Sequence, residues 1–195
     1  ILETKGFHPE PSKTTRDGSL LYFEFAPPPS GDVFLVDYGR VLALTAARAP
    51  DLETMAGFAD LCRATLHDEL ALHRSYAREF GISQAELERE PPSAATAAYV
   101  DFLLRHAVVG GFEELVAAVL PCMWGFSEIG ERLVAEGAAP ADERYRRWIA
   151  TYGDPEFAAL ARWCREVADR AAAGVGECRR AQMTALFAQS LQHEL

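Results

Sequence analysis

Apolar positions along the chain recur at helical spacing, in blocks separated by proline, glycine and short polar runs. They predict helices over about 33–48, 52–80, 93–108, 112–136, 141–151, 155–173 and 177–195. Asp51, Ser93 and Asp154 stand where N-caps belong, and Gly81, Gly110 and Gly137 where helices should stop. No βαβ pattern or internal repeat is present, and the connections are short. The expected fold class is therefore all-α, a bundle of about six to seven helices. Residues 1–31 depart from this pattern. The run LLYFEF is apolar without helical spacing, and PPPSG speaks against a helix passing through it. The expected organisation is an irregular segment over 1–31 followed by a helical domain over 32–195.

The segment 112–136 carries the strongest pattern. Phe112, Leu115, Val116, Val119, Met123, Phe126, Gly130 and Leu133 form one stripe; Val119, Cys122, Phe126 and Ile129 form a second. A helix apolar most of the way round should be central. Pro121 inside it should kink the helix and free backbone groups beside the Cys122 thiol. Cys122 reads either as a small buried hydrophobe or as a nucleophile. In the last helix, Met183, Phe187, Leu191 and Glu194 share a stripe, which puts a carboxylate on the core-facing side. Glu194 is either a buried general acid with a raised pKa or a solvated residue of a frayed turn.

Helix 52–80 aligns Cys62, Leu66, Glu69, His73, Tyr76 and Phe80 on one seam, with Glu69 and His73 one turn apart. A di-iron site would want Glu-x-x-His twice, and the chain contains none, so a structural or supporting pair is the expectation and no metal is assigned. Tyr99 and Tyr152 read as core tyrosines or as ligand contacts.

Composition adds limits. The 195 residues include 33 Ala and only 4 Ile, which favours helix over strand. A net charge of −10 leaves no basic stripe for a nucleic acid. No apolar run reaches membrane-span length, and no signal-peptide core opens the chain. The four cysteines, at 62, 122, 164 and 178, have no disulfide-framework or zinc spacing, so a reduced cytoplasmic setting is expected. Cys62, Cys164 and Cys178 read as packing residues. The first residue is not Met, and the pattern is still running at Leu195, which suggests incomplete or altered ends.

Several segments, taken in order, resemble the TenA family of thiaminase II enzymes, which share the heme-oxygenase-like bundle. They are Phe34-Leu-Val-Asp-Tyr-Gly-Arg-Val-Leu-Ala-Leu44, Glu69-Leu-Ala-Leu-His73, Leu120-Pro-Cys-Met-Trp124-Gly-Phe-Ser-Glu128-Ile-Gly130, Tyr145-Arg-Arg-Trp-Ile-Ala-Thr-Tyr-Gly153 and Ser190-Leu-Gln-His-Glu194. The resemblance implies hydrolysis of 4-amino-5-aminomethyl-2-methylpyrimidine, thiamin or both to the hydroxymethylpyrimidine, without a cofactor. Cys122 would add to the ring and Glu194 would shuttle the proton to the leaving amine.

The family's pyrimidine-holding aspartate matches Asp32 when counted forward from Asp17-Gly18-Ser19-Leu20, and is one residue off when counted back from Tyr38. Asp37 is the fallback, read otherwise as solvent-facing or turn-capping. A local rearrangement or compensated frame shift over 20–31 would explain the mismatch. Phe34 and Phe126 stand where the family has tyrosines, so they keep stacking area and lose a hydroxyl each. Tyr99 and Tyr152 match pocket tyrosines. The implied partners are a small pyrimidine or thiamin and further copies of the chain in a homotetramer, with no nucleic acid and no membrane. The alternatives are a non-catalytic pyrimidine-binding regulator on the same bundle and a metal-dependent oxidase of the heme-oxygenase-like superfamily.

Overall fold

The computed structural model describes residues 28–194 except 80 and 90, with side chains from 33 onward. Among these residues the regular structure is helical: α1 Pro28–Ala47, α2 Leu52–Ala64, a π-helical turn Thr65–Glu69, α3 Leu70–Glu79, α4 Gln84–Leu87, α5 Ala94–Val109, α6 Phe112–Ala135, α7 Glu143–Tyr152, α8 Pro155–Ala173 and α9 Glu177–Glu194. The all-α bundle is thus as the hydrophobic spacing predicts. Asp51 accepts from Thr54 N at 2.8 Å, Ser93 from Thr96 N at 3.1 Å and Asp154 from Glu156 N at 2.7 Å, so each anticipated N-cap satisfies an orphan donor. Gly81 and Gly137 adopt φ of 77° and 68°, the left-handed conformation that ends a helix at least cost in glycine.

Two expectations need correction. A helix does enter PPPSG: α1 begins at Pro28, so Pro28 and Pro29 lie in its first turn. The first four N–H groups of any helix lack an intrahelical acceptor, so proline loses nothing there. The expected irregularity over 1–27, including the rearrangement at 20–27, lies outside the described residues. Nor is 52–80 one α-helix. The five-residue π turn interrupts it after Ala64, so Cys62 and the residues from Leu66 to Tyr76 do not share one α-helical seam, and Phe80 lies outside the described residues.

Helix α6 runs through the middle of the bundle, packing chiefly on α8 and α9 and also on α7, α5 and α1. Leu115 through Leu120 are all buried, as are Cys122 and Met123, which is what a helix apolar on all sides requires. Leu42, Leu103, Leu115 and Met183 are fully buried in the same core; truncating such a side chain to Ala typically costs about 2–5 kcal/mol. The guanidinium of Arg48, just past α1, donates to the carbonyls of Ala107 and Val108 and so closes the end of α5 against α1. The end of α7 lies directly over Gly130 of α6, where a Cβ would come within 2.3 Å of the Tyr152 carbonyl. That close backbone approach is what carries Tyr152 into the bundle.

Candidate active site

Cys122 follows the proline of α6. Pro121 has no N–H to offer the carbonyl of Ala117, an omission that ordinarily costs a helix interior about 3 kcal/mol. Beside this gap two backbone oxygens receive side chains from other helices. Ser190 of α9 donates to the Ala118 carbonyl at 2.6 Å, and Tyr38 of α1 donates to the Val119 carbonyl at 2.9 Å. Helices α1, α6 and α9 are thereby fastened together one turn before the thiol. Burial pushes the Cys122 thiol well up, the negative charges of Glu194 and Glu69 push it further, and Tyr38 pulls it partly back. The resting thiol is therefore protonated at neutral pH, and ionising it takes an adjacent base.

Glu194 supplies a group of that kind. Met183 and Phe187 on the same stripe are buried, so the stripe faces the core and the solvated alternative for Glu194 does not apply. Its Oε1 is buried without a hydrogen-bond partner. Burial raises its carboxyl to about 7, tempered by hydrogen bonding from Tyr99 and Cys122. The last turn of α9 is held in place by α5. The Tyr99 and Ser190 hydroxyls meet at 3.0 Å, and His193 lies flat on the Tyr99 ring with centroids 5.2 Å apart and planes 8° from parallel. Phe34 stacks on both Tyr38 and Tyr99, at 5.4 and 5.2 Å, so its ring extends the aromatic wall from α1 to α5.

A second group lies within electrostatic reach of Cys122. The Tyr152 hydroxyl donates to Glu69 Oε1 at 2.7 Å. Its ring packs at 4.9 Å on Phe126 and 4.7 Å on Trp148. Burial raises the Glu69 carboxyl and the Tyr152 hydrogen bond lowers it. Glu69 closes the π turn, a distortion that often marks functional positions in helices.

Of the residues singled out in the sequence, Cys122, Glu194, Phe34, Tyr99, Phe126 and Tyr152 thus belong to one continuous cluster. The side chain of Asp32 lies outside the described residues, although its backbone is in α1. Asp37 pairs with the exposed guanidinium of Arg40. The remaining cysteines are free: Cys62 donates to the Gly39 carbonyl at 3.2 Å, Cys164 is buried in α8 and Cys178 is exposed. Among the described residues no group of three or more His, Cys, Asp or Glu could hold a metal ion. A surface groove of about 630 Å³ along α7 and α8, lined by Leu72, Arg147, Asp154 and Phe157, includes neither Cys122 nor Glu194.

Sequence reasoning did not assign Tyr38, Ser190 or His193 to the site, nor the tie between Glu69 and Tyr152. Helical spacing held part of the signal, since Tyr38 is four residues after Phe34 and Ser190 four before Glu194. The link between Glu69 and Tyr152 spans 83 positions and has no local signature.

Comparison with known proteins fits this arrangement. The sequence model of the TENA/THI-4/PQQC family matches residues 32–195. An aminopyrimidine aminohydrolase of Halalkalibacterium halodurans is 40% identical over 80% of this chain and 69% of its own length. Proteins of the same name from Helicobacter pylori and Bacillus subtilis are 33% and 36% identical. There the match covers 67% and 64% of this chain, and 60% and 52% of theirs. Among solved structures, a TenA family transcription regulator from Silicibacter sp. TM1040 superposes with a TM-score of 0.78 at 27% identity, over 87% of this chain and 76% of that one. With a helical bundle built round the same ordered segments, the chain belongs to the TENA/THI-4/PQQC family.

Proposed function

We propose that this protein hydrolyses aminopyrimidines in thiamin salvage, converting 4-amino-5-aminomethyl-2-methylpyrimidine, thiamin or both to the hydroxymethylpyrimidine. The relatives named aminopyrimidine aminohydrolase support the reaction class. The observation that carries the chemistry is a thiol held protonated beside a carboxyl that titrates at about 7. A group with that pKa is about half ionised at neutral pH, so it can accept the thiol proton and later return it.

In this mechanism the carboxylate of Glu194 takes the proton of Cys122 as Sγ bonds to the pyrimidine ring. The bond to the exocyclic nitrogen then breaks, and the cationic nitrogen leaves as a neutral amine or thiazole, keeping the bonding pair. Water adds its hydroxyl to the exocyclic methylene and gives its proton to the released base, and the thiolate leaves the ring and takes its proton back from Glu194. The rings of Phe34, Tyr99, Phe126 and Tyr152 would hold the flat substrate, and Asp32 is the assigned contact to its amino group and ring nitrogen. No cofactor enters these steps. Four free cysteines suit a reducing cytoplasm. Val108 and Val109, exposed at 69% and 73%, suit burial between copies in a homotetramer, which a molar mass four times that of the chain by light scattering would establish. Among the described residues no helix is long and apolar enough to cross a membrane.

The test of function is release of hydroxymethylpyrimidine by the purified protein, followed by chromatography. Cys122→Ala should abolish release while still binding the pyrimidine. Undiminished turnover in that variant would sink the mechanism, and tight binding without turnover in the unaltered protein would favour a regulator.

A further inference from the structure

The mechanism above uses one carboxylate, yet Cys122 has two beside it. Glu194 approaches from α9, and Glu69 approaches from the π turn; the charge of each acts on the thiol. Glu69 has no part in moving the proton. Its position is nevertheless built: the π turn re-aims the helix at this residue, and Tyr152 reaches it from a helix 83 positions away. Tyr152 itself is 2% exposed, clamped by Phe126, Trp148 and the edge of Phe157, and admitted by the absent side chain of Gly130. A phenol so confined holds the carboxylate in one orientation.

One hydrogen bond satisfies little of a carboxylate, which has about four acceptor positions. Glu69 is half-buried, and a substrate that displaces water from such a group must replace it with a donor or a cation. The substrate class offers a cation: the aminomethyl nitrogen is an ammonium at neutral pH, and the nitrogen of a thiazolium is positively charged. We propose that Glu69, oriented by Tyr152, is a specificity-determining residue that receives the positively charged nitrogen of the leaving group. This rests on the function proposed above and names the part of the substrate the second carboxylate selects.

A functional consequence follows from charge. With both carboxylates ionised, two negative charges oppose the thiolate. A cation seated on Glu69 cancels one of them, so the nucleophile is released by arrival of a substrate with the right leaving group. A neutral compound of the same shape leaves the thiol suppressed. Selectivity and activation thereby come from one contact.

Titration calorimetry separates this from a structural role. Two ligands are compared on the Cys122→Ala protein, which cannot turn over: cationic 4-amino-5-aminomethyl-2-methylpyrimidine and its neutral hydroxymethyl counterpart. Adding Glu69→Gln should weaken the cationic ligand by about 10- to 100-fold, the range of a hydrogen bond to a charged group, and change the neutral one less than about threefold. Tyr152→Phe keeps the ring and removes the hydroxyl; it should show the same selectivity with a smaller loss, and it decides the matter if the Gln variant does not fold. Equal loss for both ligands would mean Glu69 only shapes the wall, and overturns the inference alone. Failure of either ligand to bind the Cys122→Ala protein overturns the proposed function first.

Discussion

Tyr99 of α5 and Ser190 of α9 meet through their hydroxyls at 3.0 Å, and Ser190 passes the chain on to the Ala118 carbonyl at 2.6 Å. Three helices are joined by these two bonds. Their meeting point lies one turn from Cys122 in α6 and one turn from Glu194 in α9. A serine whose partners are Tyr99 and Ala118 thus ties together the helices that carry the proposed nucleophile and the proposed acid.

Ser190→Ala removes a buried hydroxyl that bonds both the Tyr99 hydroxyl and the Ala118 carbonyl. The expected loss is about 1–3 kcal/mol of stability, read from chemical denaturation. Turnover should fall as well, because α9 loses its hydroxyl tie to α5 one turn before Glu194. Ser190→Thr, which keeps the hydroxyl, should recover part of both.

Glu194 sets a pH dependence whose sign can be worked out. Its carboxyl titrates near 7 in the folded protein against an ordinary 4.5, so the native state holds more protons than the unfolded chain between those values. Stability should fall as pH rises through that window, and Glu194→Gln should flatten the slope. In catalysis the carboxylate form is needed to accept the Cys122 proton. A plot of kcat/KM against pH should show an acid limb near 7 that Glu194→Gln removes together with most of the activity.

Phe126→Tyr restores a hydroxyl to a ring already packed on Tyr152. If that hydroxyl gains one hydrogen bond to the substrate, kcat/KM should rise about 2- to 10-fold, the kinetic equivalent of a typical net hydrogen bond. No change, or a fall, would show that the phenylalanine is fitted to its own substrate.

Gly130→Ala places a methyl group 2.3 Å from the Tyr152 carbonyl, so α7 must move. Overpacking of this kind costs about 1–3 kcal/mol. The variant should lose thermal stability, and its binding of a cationic pyrimidine should weaken more than that of a neutral one, because Tyr152 orients Glu69.

Much of this was legible in the sequence because the relevant physics is local. Apolar spacing located the helices, short polar side chains marked Asp51, Ser93 and Asp154 as caps, and the unbroken apolar character of 112–136 marked it as central. Spacing alone leaves Cys122 open to a packing role and Glu194 to a solvated one; the resemblance to the TenA family is what makes both candidate site residues. What escaped notice was of two kinds. The π turn at Thr65–Glu69 leaves Glu69 and His73 at ordinary helical spacing, so periodicity cannot see it. Contacts such as Tyr38 to Val119 and Tyr152 to Glu69 join residues more than 80 apart and depend on how helices pack. The start of α1 departs from the expectation because proline breaks a helix interior but suits a helix beginning.

The hydroxyls that serve the Ala118 and Val119 carbonyls bear on how portable this chemistry is. A designer who moved the α6 segment with its Pro-Cys pair into another bundle would carry over the proline but leave behind Ser190 and Tyr38, which belong to α9 and α1. The transplanted helix would lose the two side-chain ties that hold its backbone in place next to the thiol. Cys122 is thus a property of three helices assembled together, and a graft will succeed only if it brings the two donors with it.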